Sequence, residues 1–228
     1  ITVELQDVKV KQKPISKKNA VGIDTGIKTF ATLSDGTKIE NPKHLKSSIQ
    51  RLKVLQRRAS KKQKGSSNRR KANLKVALLH EKISNQRLDF LHKTTTAIAK
   101  QYDTVACENL NISGMMRNHK LAQSIADLGL GRFYTLLQYK MQERGGNYLE
   151  IGMFEPSSKM CGCGVINKEL KLSDRIWTCK ACGVTHERDE LAANNIKRFA
   201  FVEKNTAGIA GFQACGDEGL PLSAKQEA

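Results

Sequence analysis

The run AVGID from Ala20 to Asp24 does most to limit the fold, because it reads as a short buried strand ending on a carboxylate. Thr29 to Leu33 and Thr37 to Glu40 follow at strand length. They flank Asp35-Gly36, a dipeptide that supplies the positive φ of a tight hairpin turn. The first strand is therefore expected to be followed by two antiparallel ones. Pro42 ends this pattern, and Leu45, Ile49, Leu52 and Leu55 then recur at helical spacing. After a basic connector from Lys61 to Ser67, a longer helix is predicted from about Asn68 to Lys100. Its buried stripe is Val76, Leu79, Ile83, Phe90, Leu91 and Ile98. Thr104 to Glu108 reads as another buried strand, and Leu121 to Arg144 as a helix broken or loosened near Gly129 and Gly131. Tyr148 to Phe154 reads as strand and Arg188 to Phe201 as helix. At the start, Ile1, Val3, Leu5, Val8 and Val10 interleave with polar residues, so residues 1–19 are expected to be the end of an upstream β domain and its linker. The Gly/Ala-rich stretch 203–228 is expected to be a flexible tail.

Charge narrows the partners. Lys plus Arg outnumber Asp plus Glu by 39 to 22, a formal charge of +17, and a polyanion is the default partner of such a chain. A merely solvated basic surface is the bland alternative, but it does not fit the distribution. No acidic residue lies between Glu40 and Glu81, while Lys43, Lys46, Arg51, Lys53, Arg57, Arg58, Lys61, Lys62, Lys64, Arg69, Arg70, Lys71 and Lys75 do. Solvated helices mix charge signs to gain i,i+4 pairs, and this stretch forgoes them. Phosphates are the natural replacement, so these cations are the candidate nucleic-acid contacts. No stretch approaches the roughly 20 apolar residues of a membrane span, and no signal peptide is visible. A cytoplasmic protein is expected, without membrane or small-molecule partners. Thiols stay reduced there, so the six cysteines, four of them between Cys161 and Cys182, suit metal ligation better than disulfides.

Three carboxylates stand out. Asp24 ends VGID, Glu108 ends TVACE, and Asp189 lies in HERDELAANNI. Each has an ordinary reading alone: a turn starter, an exposed strand end, and a helix N-terminal charge favoured by the dipole. Neither composition nor spacing shows that they converge. The stretches VGIDTGIKTFATLSDG, ENLNISGM and SSKMCGCGVINKELKLSDRIWTCKACGVTHERDELAANNI, in this order, resemble the motifs of the TnpB (OrfB) proteins of bacterial insertion sequences. The resemblance extends from about Ala20 to Phe201. It implies an α/β fold of the RNase H-like (RuvC-like) type: a mixed five-stranded sheet with flanking helices, an inserted basic helical hairpin and an inserted zinc ribbon. The implied division is a nuclease core over 20–154 including the basic insert 43–100, the ribbon over 155–187, and a last core helix over 188–202.

The same resemblance implies a transposon-encoded, metal-dependent, RNA-guided DNA endonuclease, with Asp24, Glu108 and Asp189 as catalytic ligands of two Mg²⁺ (or Mn²⁺) ions. Carboxylates held together repel unless cations intervene, and Mg²⁺ prefers oxygen ligands and bridges to phosphate. DNA and a guide RNA are the implied partners. Gly26 would leave room beside Asp24 for a close backbone, and Lys28 and Arg188 would add charge near the scissile phosphate. The alternative, from another class, is a non-cleaving nucleic-acid-binding remnant or domesticated repressor.

One zinc ion is expected from the cysteines. Cys179-Lys180-Ala181-Cys182-Gly183 has knuckle spacing with a glycine for the turn. The other pair, Cys161 and Cys163, is one residue shorter than the family's C-x₂-C, so the shortened turn is not expected to present both thiolates in knuckle geometry. A four-cysteine site, a distorted site, recruitment of His186 and loss of zinc all stay open. Cys107 reads as a small core residue and Cys215 as a free tail thiol.

Overall fold

The fold was derived from a computed structural model, in which residues 10–206 other than Phe154 and Leu172 are described. The expected strand pattern before Val10 and the tail with Cys215 lie outside these residues.

Five strands, β1 (Ala20–Thr25), β2 (Thr29–Leu33), β3 (Lys38–Glu40), β4 (Thr104–Glu108) and β5 (Asn147–Ile151), form one sheet in the order β3-β2-β1-β4-β5. The β1–β2 and β2–β3 pairs are antiparallel, whereas β4 runs parallel to both β1 and β5. The β2–β3 turn uses Gly36 at φ 86, and the Asp35 carboxylate accepts from Thr37 N at 2.9 Å. Parallel neighbours need long crossovers, and helices provide them. A hairpin of α1 (His44–Ser60) and α2 (Ser67–Gln101) leads from β3 to β4. Helices α3 (Ile112–Met116), α4 (Ala122–Leu128) and α5 (Leu130–Glu143) lead from β4 to β5.

Helices cover both faces of the sheet. On one, Leu91 of α2 and Phe133, Leu137 and Met141 of α5 pack with Val21, Ile23, Phe30 and Val105. Phe30 meets Phe90 and Phe133 edge to face at 4.9 and 5.1 Å. On the other, Ile196, Phe199 and Ala200 of α6 (Arg188–Thr206) pack on Ala106, Leu149 and Ile151. Gly22 makes this second layer possible. A Cβ there would stand 2.0 Å from Ala193 O and 2.7 Å from Lys197 N, so only glycine lets α6 lie directly on β1.

The hairpin is fastened to the core near its base. Lys43, at the N-cap of α1, has φ 50 and offers no side-chain cap. Asp127 of α4 supplies it: both carboxylate oxygens accept from Leu45 N, at 3.0 and 3.1 Å. Arg87 of α2 donates from Nη2 to the same carboxylate at 3.0 Å and from Nε to Asp127 O at 2.8 Å. Further out, Leu52 of α1 packs with Leu79 and Ile83 of α2.

The stretch 121–144 breaks as expected at Gly129, which at φ 67 ends α4, whereas Gly131 lies inside α5. One expectation needs correction. Strand β5 stops at Ile151 rather than at position 154. Part of the expected N-terminal linker is also docked: Lys13 N donates to Gly145 O at 2.7 Å, and the Gln12 side chain donates to Gly146 O and Asn147 Oδ1.

Between β5 and α6 the chain forms a small unit whose strands β6 (Ile176–Thr178) and β7 (Thr185–Glu187) pair antiparallel. Strand β7 runs straight into α6. Among the described residues no helix is long and apolar enough to cross a membrane.

Candidate functional site

Parallel pairing of β1 with β4 matches Ile23 to Cys107, so the next residues, Asp24 and Glu108, come at the same end of the two neighbouring strands. Asp189 joins them from the first turn of α6, which lies on β1 at Gly22. All three line one cleft of about 780 Å³, together with Ser157, Ser158, Arg175 and Arg188. The electrostatics carry the mark of burial and of like charge nearby. Burial, then the charges of Glu108 and Asp189, push the Asp24 carboxyl up to about 8, against the opposing pull of Arg188 and Arg175. Glu108 accepts a hydrogen bond from the Ser157 hydroxyl. Asp189 is gripped by Arg175, whose Nη1 donates to both oxygens at 3.0 and 3.1 Å. An all-oxygen donor set on which negative charge costs this much suits hard divalent cations.

Gly26 lines the same cleft beside Asp24. Its N–H also donates to Phe30 O at 3.2 Å, and a Cβ there would sit 3.1 Å from Thr29 O, so it serves the β1–β2 turn as well.

The thirteen hairpin cations are exposed except Arg69, which is half-buried. Lys43 and Lys46 line the carboxylate cleft, as does Lys28. Arg51, Arg58 and Lys75 line a second groove between α1 and α2, floored by Leu55 and Leu79. Lys61, Lys62, Lys64, Arg69, Arg70 and Lys71 sit at the hairpin tip, the 17-residue length of α1 away, or roughly 25 Å. The thirteen cations are thus spread from the cleft to the hairpin tip rather than gathered in a single patch.

The cysteine pairs do meet. The sulfurs of Cys161, Cys163, Cys179 and Cys182 all lie within 4.8 Å of one another. Cys161 and Cys182 are 3.5 Å apart, and Cys163 and Cys179 are 3.7 Å apart. The shortened first pair is accommodated because Gly164, at φ 91, folds the chain back. Its N–H donates to Cys161 O, and Cys161 N donates to Val165 O. The four-sulfur cluster, one of the arrangements the sequence left open, thus forms despite the shortened pair. Backbone N–H groups of Cys182 and Ala181 pull the Cys179 thiol down to about 6, whereas burial pushes Cys161 up to about 12. His186 Nε2 stands 3.0 Å from Cys161 Sγ. Cys107 is fully buried in the core, as expected.

Sequence reasoning missed Gly22, Asp127, Ser157, Arg175 and Asn195. Of these only Gly22, a glycine inside an apolar strand, carried a local signal.

These features define a class: an α/β protein whose mixed sheet and last helix bring three carboxylates into a cleft rimmed with lysine and arginine, beside a four-cysteine cluster. The family model OrfB_IS605, "Probable transposase", matches residues 1–119, and that of the Cas12f1-like TNB domain matches residues 131–196. The chain belongs to this transposon-borne OrfB (TnpB) family. It is 44% identical over 199 residues to a "Putative RNA-guided DNA endonuclease" of Streptomyces pristinaespiralis, covering 87% of this chain and 47% of that protein. With the similarly named InsQ of Escherichia coli K12 it shares 35% identity over 225 residues, 91% of this chain and 53% of the other. The chain thus spans about half the length of these curated relatives. Among solved structures, a cryo-EM structure of a CRISPR-Cas12f ternary complex superposes with a TM-score of 0.60 at 20% identity, over 84% of this chain and 40% of that one. That likeness is one of fold.

Proposed function

We propose that the chain is the catalytic part of a transposon-encoded, RNA-guided DNA endonuclease with an RNase H-like (RuvC-like) core. The sheet order, an antiparallel β1-β2-β3 meander followed by β4 and β5 parallel to β1, supports that fold, with the core over 20–154, a zinc ribbon over 155–187 and the last core helix over 188–202. The observation that carries the reading is the convergence of Asp24, Glu108 and Asp189 on one basic-rimmed cleft, with Asp24 pushed up to about 8. Such a cluster is costly to the fold and gains its use when cations bind it.

Asp24, Glu108 and Asp189 would hold Mg²⁺ or Mn²⁺, which supply a lowered water pKa and charge neutralisation for in-line phosphodiester hydrolysis. The protein's own part is positional. Lys28, Lys43 and Lys46 draw the phosphate backbone toward the carboxylates, and the hairpin cations hold the strand or duplex leading to them. Guide pairing would supply sequence specificity while the protein grips the backbone. Cys161, Cys163, Cys179 and Cys182 would hold one zinc ion, fixing the ribbon that delivers Arg175 and the start of α6. A cytoplasmic location follows from this role.

Asp24→Ala should abolish Mg²⁺- or Mn²⁺-dependent cleavage of single-stranded DNA while leaving binding intact. Undiminished cutting by that variant would refute the assignment. One observation favours the second reading, a non-cleaving binder: Arg175 is already fastened to Asp189, and a cation has to share that carboxylate or displace the arginine. Wild-type protein that binds nucleic acid but cuts none at any Mn²⁺ concentration would establish that reading.

A further inference from the structure

Glu108 is the least constrained of the three carboxylates by its own element. It ends β4 on a flexible side chain, and ordering such a chain costs conformational entropy unless something holds it. The holder is built from buried polar groups. Ser157, only 6% exposed, donates its hydroxyl to Glu108 Oε1. The backbone around Ser157 is fixed in turn by Asn195, 3% exposed on α6, whose Nδ2 donates to Ser157 O and to Met160 O, both at 2.7 Å. Pro156 tightens the same turn, its carbonyl accepting from Lys159 N and Met160 N at 3.0 Å. An apolar residue would serve a buried helix position better than asparagine unless these two carbonyls needed a donor.

Resting on the reading that the carboxylates bind divalent cations, we propose that Ser157 and Asn195 are positioning residues for Glu108. Helix α6 carries Asp189, lies against β1 beside Asp24 at Gly22, and through Asn195 and Ser157 sets Glu108. One helix is therefore the common reference for the whole carboxylate cluster. Groups that orient a ligand in this way ordinarily change metal affinity about 10-fold or more when removed.

The test is a calorimetric titration of Mn²⁺ into the purified chain, its cysteine site loaded with zinc, comparing wild type with Ser157→Ala, Ser157→Thr, Asn195→Ala and Asp24→Ala. Ser157→Ala should weaken Mn²⁺ binding about 10-fold. Ser157→Thr, which keeps the hydroxyl, should bind close to wild type, and Asn195→Ala should shift in the same direction as Ser157→Ala. If Asn195→Ala does not give a folded protein by its thermal melt, Ser157→Ala decides alone, since it removes one hydroxyl and no backbone support. Wild-type affinity in Ser157→Ala, with binding lost in Asp24→Ala, would overturn the positioning role and leave the metal site standing. Wild-type affinity in Asp24→Ala would overturn the metal site itself, and this inference with it.

Discussion

Replacing Asp24 by asparagine should make the metal-free protein more stable while disabling it. The substitution keeps the side chain's shape and removes its ability to ionise, exchanging one carboxyl oxygen for an amide NH₂. In the unfolded chain this carboxyl titrates near 3.8, and in the folded one near 8. The folded state therefore favours the neutral form. The stability this group contributes is complete below pH 3.8 and drains away as pH rises toward 8. Each pH unit within that window costs about 1.4 kcal/mol. By pH 7 the loss is about 4 kcal/mol, and at pH 5 about 2 kcal/mol. A chain of this size shifts its Tm by about 2–4 °C per kcal/mol. Asp24→Asn should therefore melt about 8 °C or more above wild type at pH 7, and the gap should at least halve at pH 5. The measurement is a thermal melt of zinc-loaded protein free of Mg²⁺ and Mn²⁺, repeated from pH 5 to 8. Adding Mn²⁺ should then raise the wild-type Tm and leave the variant where it was. Equal melting temperatures at pH 7, or a gap that does not grow with pH, would refute the argument that burial, aided by the neighbouring carboxylates, holds Asp24 neutral.

Further outcomes follow from other parts of the structure. Protein purified without chelator should contain one zinc per chain by elemental analysis, and Cys179→Ser should remove it; unchanged zinc in that variant would place the ion elsewhere. Each hairpin cation that contacts phosphate, Arg51 and Arg58 among them, should lower the log-log salt dependence of duplex DNA binding by about 0.9 when changed to alanine. A slope indifferent to several such changes would move the binding track off the hairpin. Gly22→Ala forces a Cβ to 2.0 Å from the Ala193 carbonyl and should cost about 3 kcal/mol in urea unfolding. Asp127→Ala removes the cap of α1 and the partner of Arg87, a loss of about 2 kcal/mol. It should also speed hydrogen exchange at the Leu45 amide, and protection equal to wild type would show that α1 is held by other contacts.

Much of the local structure was legible in the residues. Strand β4 spans Thr104–Glu108 as its apolar run indicates, and α2 matches its periodicity to within a residue at either end. The Asp35-Gly36 turn adopts the positive φ that its chemistry demands. These features are set by neighbours within a few positions, where side-chain spacing and backbone freedom decide the outcome. The motif order was likewise enough to place the chain in its family and to nominate Asp24, Glu108 and Asp189.

What those acids do together was not legible, because nothing within a few residues of Asp24 says that Glu108 will pair beside it across an 84-residue separation. That depends on the β1–β4 register, and Asp189 depends on a helix that only the missing side chain of Gly22 admits. The sequence alone left open whether the shortened cysteine pair could join the other; the tertiary structure brings the four sulfurs together, with a glycine turn at Gly164 folding the short pair back. Asp127, Ser157 and Asn195 were invisible for the same reason. Each is an ordinary polar residue until the fold buries it against a backbone group or carboxylate from another element, where leaving that group without a partner costs more than keeping the polar side chain.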